Sequence, residues 1–145
     1  MEIFSIGFTQ KSAAQFFTTI KSAGIRRLLD VRLNNTSQLA GFAKQADLAF
    51  FLKEICNANY EHEPLLAPTQ EILDAFKKSK GAWSDYEQQF IALMRDRKIE
   101  SALDPTSFTE PTVLLCSEPT AERCHRRLVL EYLQQHWQGI SVTHL

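Results

Sequence analysis

The amino-acid sequence predicts an α/β protein: one domain over residues 1–145, built on a mostly parallel sheet of about five strands with helices on both faces. Three observations predict it. The length of 145 residues suits one domain with one sizeable core. Short β-rich runs alternate with segments of helical periodicity, and parallel crossovers that short require helices. No internal repeat or linker interrupts the alternation.

Glu2 to Gly7, EIFSIG, is a β-rich run closed by glycine and is the first strand. Ser12 with Gln15 is a capping signature that opens a helix through Phe16, Phe17 and Ile20, ended at Gly24. Ile25 to Val31, IRRLLDV, is the second strand, with Asp30, Val31 and Arg32 at its exit. A polar loop runs from Leu33 to Lys44 and includes Asn34, Asn35, Thr36, Ser37 and Gly41. Asp47 starts a helix carrying Leu48, Phe51, Leu52 and Ile55, and Asn59 to His62 is a brief third strand halted by Pro64.

Gln70 to Lys80 reads as a helix with Ile72, Leu73 and Phe76 on one face. Ser84 with Glu87 is an S-x-x-E capping box ahead of Tyr86, Phe90, Leu93 and Met94. Thr112 to Cys116, TVLLC, has the continuous apolar character of a strand buried on both faces. Pro119 or Thr120 then starts a long helix to about Trp137, and Ile140 to His144 alternates like a final strand.

Composition limits the function classes. Hydrophobic residues make up 44% and charged residues 23%, with five glycines and five prolines, an ordinary globular balance. Sixteen basic against seventeen acidic residues give a net charge of −1, so any site for a polyanion is local. No basic n-region precedes an apolar stretch at Met1 to Phe4, and no apolar run reaches the length of a membrane span. A soluble, cytoplasmic protein is expected, with no membrane partner. Three cysteines are an odd number for a disulfide framework and leave the thiols as packing, metal-ligand or reactive groups.

In open α/β sheets the ligand crevice lies outside the carboxyl ends of the strands. The residues that follow the predicted strands are Gly7 and Thr9, Asp30 and Arg32, His62, then Cys116 and Glu118. Polar and reactive groups therefore gather at one rim. The stretch Leu114 to Leu128, LLCSEPTAERCHRRL, adds Cys124, His125 and the cations Arg123, Arg126 and Arg127. A thiol in the first turns of a helix has a lowered pKa, and the same N–H groups and arginines hold an anion. The competing reading is that Cys124, with Leu128 and Tyr132, and His125, with Val129 and Leu133, simply face the sheet. Cys116 ends an apolar strand and admits both readings, while Cys56 beside Leu52 and Ile55 reads as packing. Arg127 is placed to pair with Glu131, and Arg126 has no such partner. Asp30 and Glu118 are a candidate acid and base pair, with an Asp30–Arg32 ion pair as the alternative. The spacing C-x7-C-H lacks a C-x2-C knuckle, so no metal is expected. His136 and His144 carry no signal, both standard nucleotide-binding fingerprints are absent, and no cofactor is implied.

The elements S-I-G-F-T at Ser5 to Thr9, D-V-R at Asp30 to Arg32 and G-F at Gly41 and Phe42 form a set with Y-E-H-E-P-L at Tyr60 to Leu65. Together with L-L-C-S-E and C-H-R between Leu114 and Arg126, the set closely resembles the family catalogued as domain of unknown function 488. The resemblance implies a small bacterial or archaeal cytoplasmic α/β domain without an established activity. It carries over at Asp30, Arg32, Cys116, Glu118, Cys124, His125 and Arg126. Members typically have histidine after the first-strand glycine where Phe8 stands here, and a glycine at the place of Ala67. An essential acid or base at position 8 would therefore be missing.

The leading functional reading is an enzyme or enzyme-like domain that holds a small anionic ligand of phosphate or nucleotide type. Arg32 and Arg126 hold the anion; Asp30, Glu118 or His125 moves protons; Cys116 or Cys124 is the nucleophile; Gly7, Thr9 and His62 complete the binding rim. Two alternatives stand beside it. One is a nucleic-acid or nucleotide-binding module without chemistry; the other is a protein-interaction domain with structural cysteines and an exposed aromatic such as Trp83 or Trp137 at its partner surface.

Overall fold

The computed structural model describes residues 1–36 and 41–145. Part of the polar loop predicted from Leu33 to Lys44 lies outside the described residues. One sheet of five strands forms the centre: β1 (Glu2–Gly7), β2 (Arg27–Asp30), β3 (Asn59–His62), β4 (Thr112–Cys116) and β5 (Ser141–His144). Every pairing is parallel and the spatial order is β3-β2-β4-β1-β5. The fold class predicted from the sequence is the one observed.

Helices cover both faces, so β2 and β4 need apolar residues on both sides. All residues of these two strands are buried. One face packs α1 (Ala13–Ser22), α2 (Gln45–Phe51) and the π-type turn Leu52–Cys56 onto Ile6, Leu28, Val113 and Leu115. The other face packs α3 (Gln70–Lys77), α4 (Trp83–Arg97), α5 (Ile99–Ala102) and α6 (His125–His136) around Ile3, Leu29, Leu114 and Cys116. Among the described residues, no helix is long and apolar enough to cross a membrane.

The Ser12–Gln15 capping box forms as expected, with both reciprocal hydrogen bonds present. The Ser84–Glu87 box does not: α4 begins at Trp83 with Ala82 as N-cap, which places Ser84 inside the first turn. The largest departure concerns the long last helix. It starts at His125 rather than near Thr120, and residues 117–124 form an irregular loop. The carbonyls that a helix would use are taken by other partners. Ser117 O accepts from the backbone N–H and the hydroxyl of Thr9, Glu118 O accepts from Arg126 Nη1, and Pro119 O accepts from Lys11 Nζ.

At the exit of β2, Asp30 and Arg32 form a buried ion pair, with side-chain exposures of 0% and 2%. Arg32 donates from Nε and Nη2 to the two carboxylate oxygens at 2.9 Å each, and its backbone N–H donates to Oδ1. Tyr60 donates its hydroxyl to Oδ2, and Asn35 Nδ2 donates to the Tyr60 oxygen. Burial first, then this bond to Asp30, keeps the Tyr60 phenol above its ordinary pKa and therefore neutral. Removing one partner of a buried pair leaves the other charge uncompensated. Asp30→Asn is expected to cost about 3–5 kcal/mol in urea unfolding, and Tyr60→Phe about 1 kcal/mol. Equal small losses for both would show that the pair does not anchor this end of the sheet.

Candidate functional site

Strand β4 is central, and the ends of its two neighbours set the walls of the site. Gly7 of β1 pairs in register with Cys116 of β4, while Asp30 of β2 pairs with Leu115. The loop 117–124 folds back over these ends and brings Cys124 beside Cys116. Cys116 Sγ, Cys124 Sγ and a ring nitrogen of His125 all lie within 4.8 Å of one another, and all three residues are buried. Cys124 is the N-cap of α6 rather than a member of its first turn, with extended backbone at φ −139° and ψ 139°.

His125 Nε2 donates to Val31 O at 2.7 Å. A carbonyl can only accept, so in the neutral ring Nε2 carries the hydrogen and Nδ1 faces the thiols as an acceptor. Cys116 Sγ is 3.5 Å from Nδ1 and 4.0 Å from Nε2, which seats the sulfur beside the ring rather than on the Nδ1 lone-pair axis.

The two thiols have opposite tendencies. The Cys116 thiol is held below its usual pKa chiefly by the neighbouring Cys124 thiol. Backbone N–H groups of Ser117 and Glu118 and the charge of Arg126 add to this, against burial, which acts the other way. Cys124 is pushed up by its contact with Cys116, by burial and by the neighbouring sulfur's charge. The two thiols thus differ in tendency, Cys116 the more readily ionised of the pair.

Beneath the loop, Arg126 is fully buried. Its Nε donates to Ser5 Oγ, Nη1 donates to Glu118 O at 2.7 Å, and Nη1 lies 3.6 Å from Cys124 Sγ. The expected anion-holding role of Arg126 does not fit this position, because it braces the loop from behind and is absent from the cavity lining. Gly7 and Thr9 also serve the loop and do not line the cavity. A Cβ on Gly7 would stand 1.6 Å from Glu118 O, so only glycine permits this approach. His62 Nε2 is bonded to Arg32 O and props the β2 exit. Asp30 has its oxygens occupied by Arg32 and Tyr60, which leaves the ion-pair alternative as the one that forms.

In front of the thiols opens a cavity of about 260 Å³. Cys116, Cys124, His125 and Glu118 form one side, with Arg32 beside them and Arg123 and Lys77 among the lining residues. Lys77 and Glu118 form an ion pair of 2.9 Å between two partly exposed side chains. Phe76, Trp83 and Tyr86 make an aromatic wall, in which Trp83 and Tyr86 stack at 5.0 Å. Burial holds the Tyr86 phenol neutral. Among the described residues, Arg32 Nη1 and Arg126 Nη2 are buried without a hydrogen-bond partner, together with Arg127 Nε. Of these three side chains only Arg32 lines the cavity.

Sequence reasoning placed Cys116, Glu118, Cys124, His125 and Arg32 in the site and missed Lys77, Phe76 and Tyr86 as lining groups. Trp83, named as a partner-surface candidate, is half-buried in the cavity wall, and Trp137 packs on Phe108 and donates to Glu100 O. The i,i+3 spacing of Trp83 and Tyr86 on a helix was the available signal. Phe8 is buried, and its ring lies 5.3 Å from the Arg32 guanidinium carbon, so it supports that cation and supplies no acid or base.

These features define a parallel α/β protein with a buried dithiol and imidazole at the carboxyl ends of its central strands. The chain belongs to the family described as Domain of unknown function DUF488, whose model matches residues 12–133. No curated protein and no solved structure matches this chain.

The Gly7 contact yields a direct test. Gly7→Ala is expected to lower stability by about 3 kcal/mol, the upper part of the overpacking range, and to raise Cys124 accessibility to thiol reagents. Gly41→Ala, where an added Cβ meets nothing within 4 Å among the described residues, is expected to stay within about 0.5 kcal/mol of the parent. A Gly7 variant as stable as the parent would show that the loop is not clamped to β1.

Proposed function

We propose that this protein is a thiol-dependent enzyme acting on a small anionic ligand held in the cavity, with Cys116 as nucleophile. The observation that carries the reading is a thiol of lowered pKa on a cavity whose lining includes Arg32, whose Nη1 has no partner among the described residues. The ligand's anionic group fills the missing hydrogen bond of Nη1, since a buried guanidinium N–H without an acceptor is costly. Lys77 and Arg123 add positive charge at the mouth, and the aromatic wall covers the apolar part of the ligand. Cys124 resides beside the nucleophile as a proton donor, His125 accepts a proton at Nδ1, and Glu118, ion-paired with Lys77, is the carboxylate that moves protons at the rim. Asp30 and Arg126 position the others and touch no ligand.

The test is alkylation of each cysteine in the folded protein, followed by peptide mass spectrometry. Because its pKa is lowered, Cys116 is expected to react at pH values well below the reference of about 8.5, losing reactivity only as pH falls through its own pKa. Cys56, buried on the opposite face with its Sγ 3.5 Å from Phe17 O, is expected to resist until unfolding. Anionic iodoacetate should be favoured over neutral iodoacetamide. Lys77→Ala or Arg123→Ala should lower the iodoacetate rate alone by about two- to fivefold, an effect that salt reduces. Protection of Cys116 until the protein unfolds would end this reading.

The three donors within 4.8 Å favour a second reading, a Cys2His site for a zinc-class ion with its fourth position toward the cavity. The His125 Nε2 bond to Val31 O is the outer-shell contact such a ligand uses. Cobalt(II) added to the folded protein would then give thiolate charge-transfer and tetrahedral bands that Cys124→Ser abolishes. A featureless spectrum removes the second reading and leaves the first intact.

A further inference from the structure

The two site sulfurs lie within 4.8 Å of one another beside the cavity and are separated in the chain by a loop that is not locked in a helix. We propose that Cys116 and Cys124 are the redox pair of a dithiol reductase whose substrate is a small anionic molecule with an S–S bond. This rests on the reading of Cys116 as nucleophile and adds the reaction class.

A disulfide needs sulfurs about 2.05 Å apart and Cβ atoms near 3.8 Å. The two sulfurs lie within 4.8 Å of one another, so bond formation requires them to close by less than about 3 Å. Cys124 stands at the loop's end with extended backbone, so such a shift breaks no helical ladder. Thiol–disulfide exchange needs one thiol to attack and a second within reach to resolve the adduct, and both site sulfurs lie on the cavity wall.

The steps balance as follows. The Cys116 thiolate attacks one substrate sulfur, the substrate S–S bond breaks, and one half leaves as a thiolate. The other half is now bonded to Cys116 Sγ. Cys124 then gives its proton to His125 Nδ1 or to the departing half, attacks Cys116 Sγ, and expels the second half as a thiolate. The dithiol has lost two electrons to the substrate S–S bond and has become a disulfide. An external dithiol reductant restores it by the reverse exchange.

The charge of the substrate follows from the lining. Among the described residues Arg32 Nη1 has no acceptor, and Lys77 and Arg123 lie on the same cavity. Cys56, on the other face of the sheet, provides an internal control thiol.

The experiment uses reduced, EDTA-dialysed protein with two probes: tetrathionate, an anionic S–S compound, and 2-hydroxyethyl disulfide, a neutral one. Intact mass and peptide mapping follow Cys116, Cys124 and Cys56. The expected product is the Cys116–Cys124 disulfide with Cys56 still reduced. Tetrathionate should react faster by at least about tenfold, the low end of what a cationic cleft gives, and this preference should fall in Lys77→Ala. Cys124→Ser, with Cys124→Ala as a second variant and both checked by thermal melting, should stop at a thiosulfate adduct on Cys116. Cys116→Ser should leave Cys124 unreacted. If Cys116 alkylates as a thiolate but no Cys116–Cys124 disulfide forms, the reductase proposal falls and the nucleophile reading stands. If Cys116 reacts with neither alkylating agents nor disulfides, both fall. Equal rates for the two probes overturn the anionic substrate class.

Discussion

The buried guanidinium of Arg126 is the interaction on which the site depends. A fully buried cation is costly unless its hydrogen bonds and charge are answered. Arg126 takes Ser5 Oγ and Glu118 O as acceptors, and among the described residues no carboxylate pairs with it. Its charge acts on the site thiols: Arg126 is among the causes that lower the Cys116 pKa, and its Nη1 lies 3.6 Å from Cys124 Sγ. The same arginine ties the 117–124 loop to β1, so the fold of the loop and the ionisation of the thiol are one problem.

Strand order makes this arrangement possible. The chain leaves β1, skips a place to lay down β2 and β3, and later inserts β4 into the gap. A strand inserted last between two others has its exit flanked on both sides by existing strand ends. Cys116 stands at that exit with Gly7 on one side and the Asp30–Arg32 pair on the other. The two faces then differ in kind. The α1 and α2 side is aromatic packing, with Phe16, Phe17, Phe42 and Phe51 in mutual contact, whereas the α4 and α6 side carries the thiols, the imidazole and the cavity.

Much of the fold was legible because its signals are local. β1, β3 and β4 have the predicted limits, since a glycine, a proline and a polar run mark their ends. The five-stranded parallel class followed from the alternation of periods. The 117–124 loop was not legible, because its residues suit a helix locally and its carbonyls are claimed by Thr9, Lys11 and Arg126 from far along the chain or across the helix start. Arg126 was read as an anion-holding cation of the rim for the same reason: no neighbour at helical spacing revealed that Ser5 would accept from it. Of the candidate residues, Arg32, Cys116, Glu118, Cys124 and His125 met around the cavity, while Asp30 went to its ion pair. Gly7, Thr9 and His62 shared the rim in sequence but turned to structural work, which spacing alone does not distinguish.

The contact between Gly7 and the Glu118 carbonyl also bears on how this protein can change over evolutionary time. Position 7 is constrained by backbone against backbone, a restriction that no compensating side chain elsewhere relieves. Phe8, next to it, is constrained only by side chains, the aromatic residues of the α1 face and the guanidinium of Arg32. A substitution there can be absorbed by repacking. Two adjacent codons are thus under different rules: one is frozen by geometry, while its neighbour is open to drift between aromatic types. Divergence among relatives is expected to accumulate at the second position and leave the first untouched.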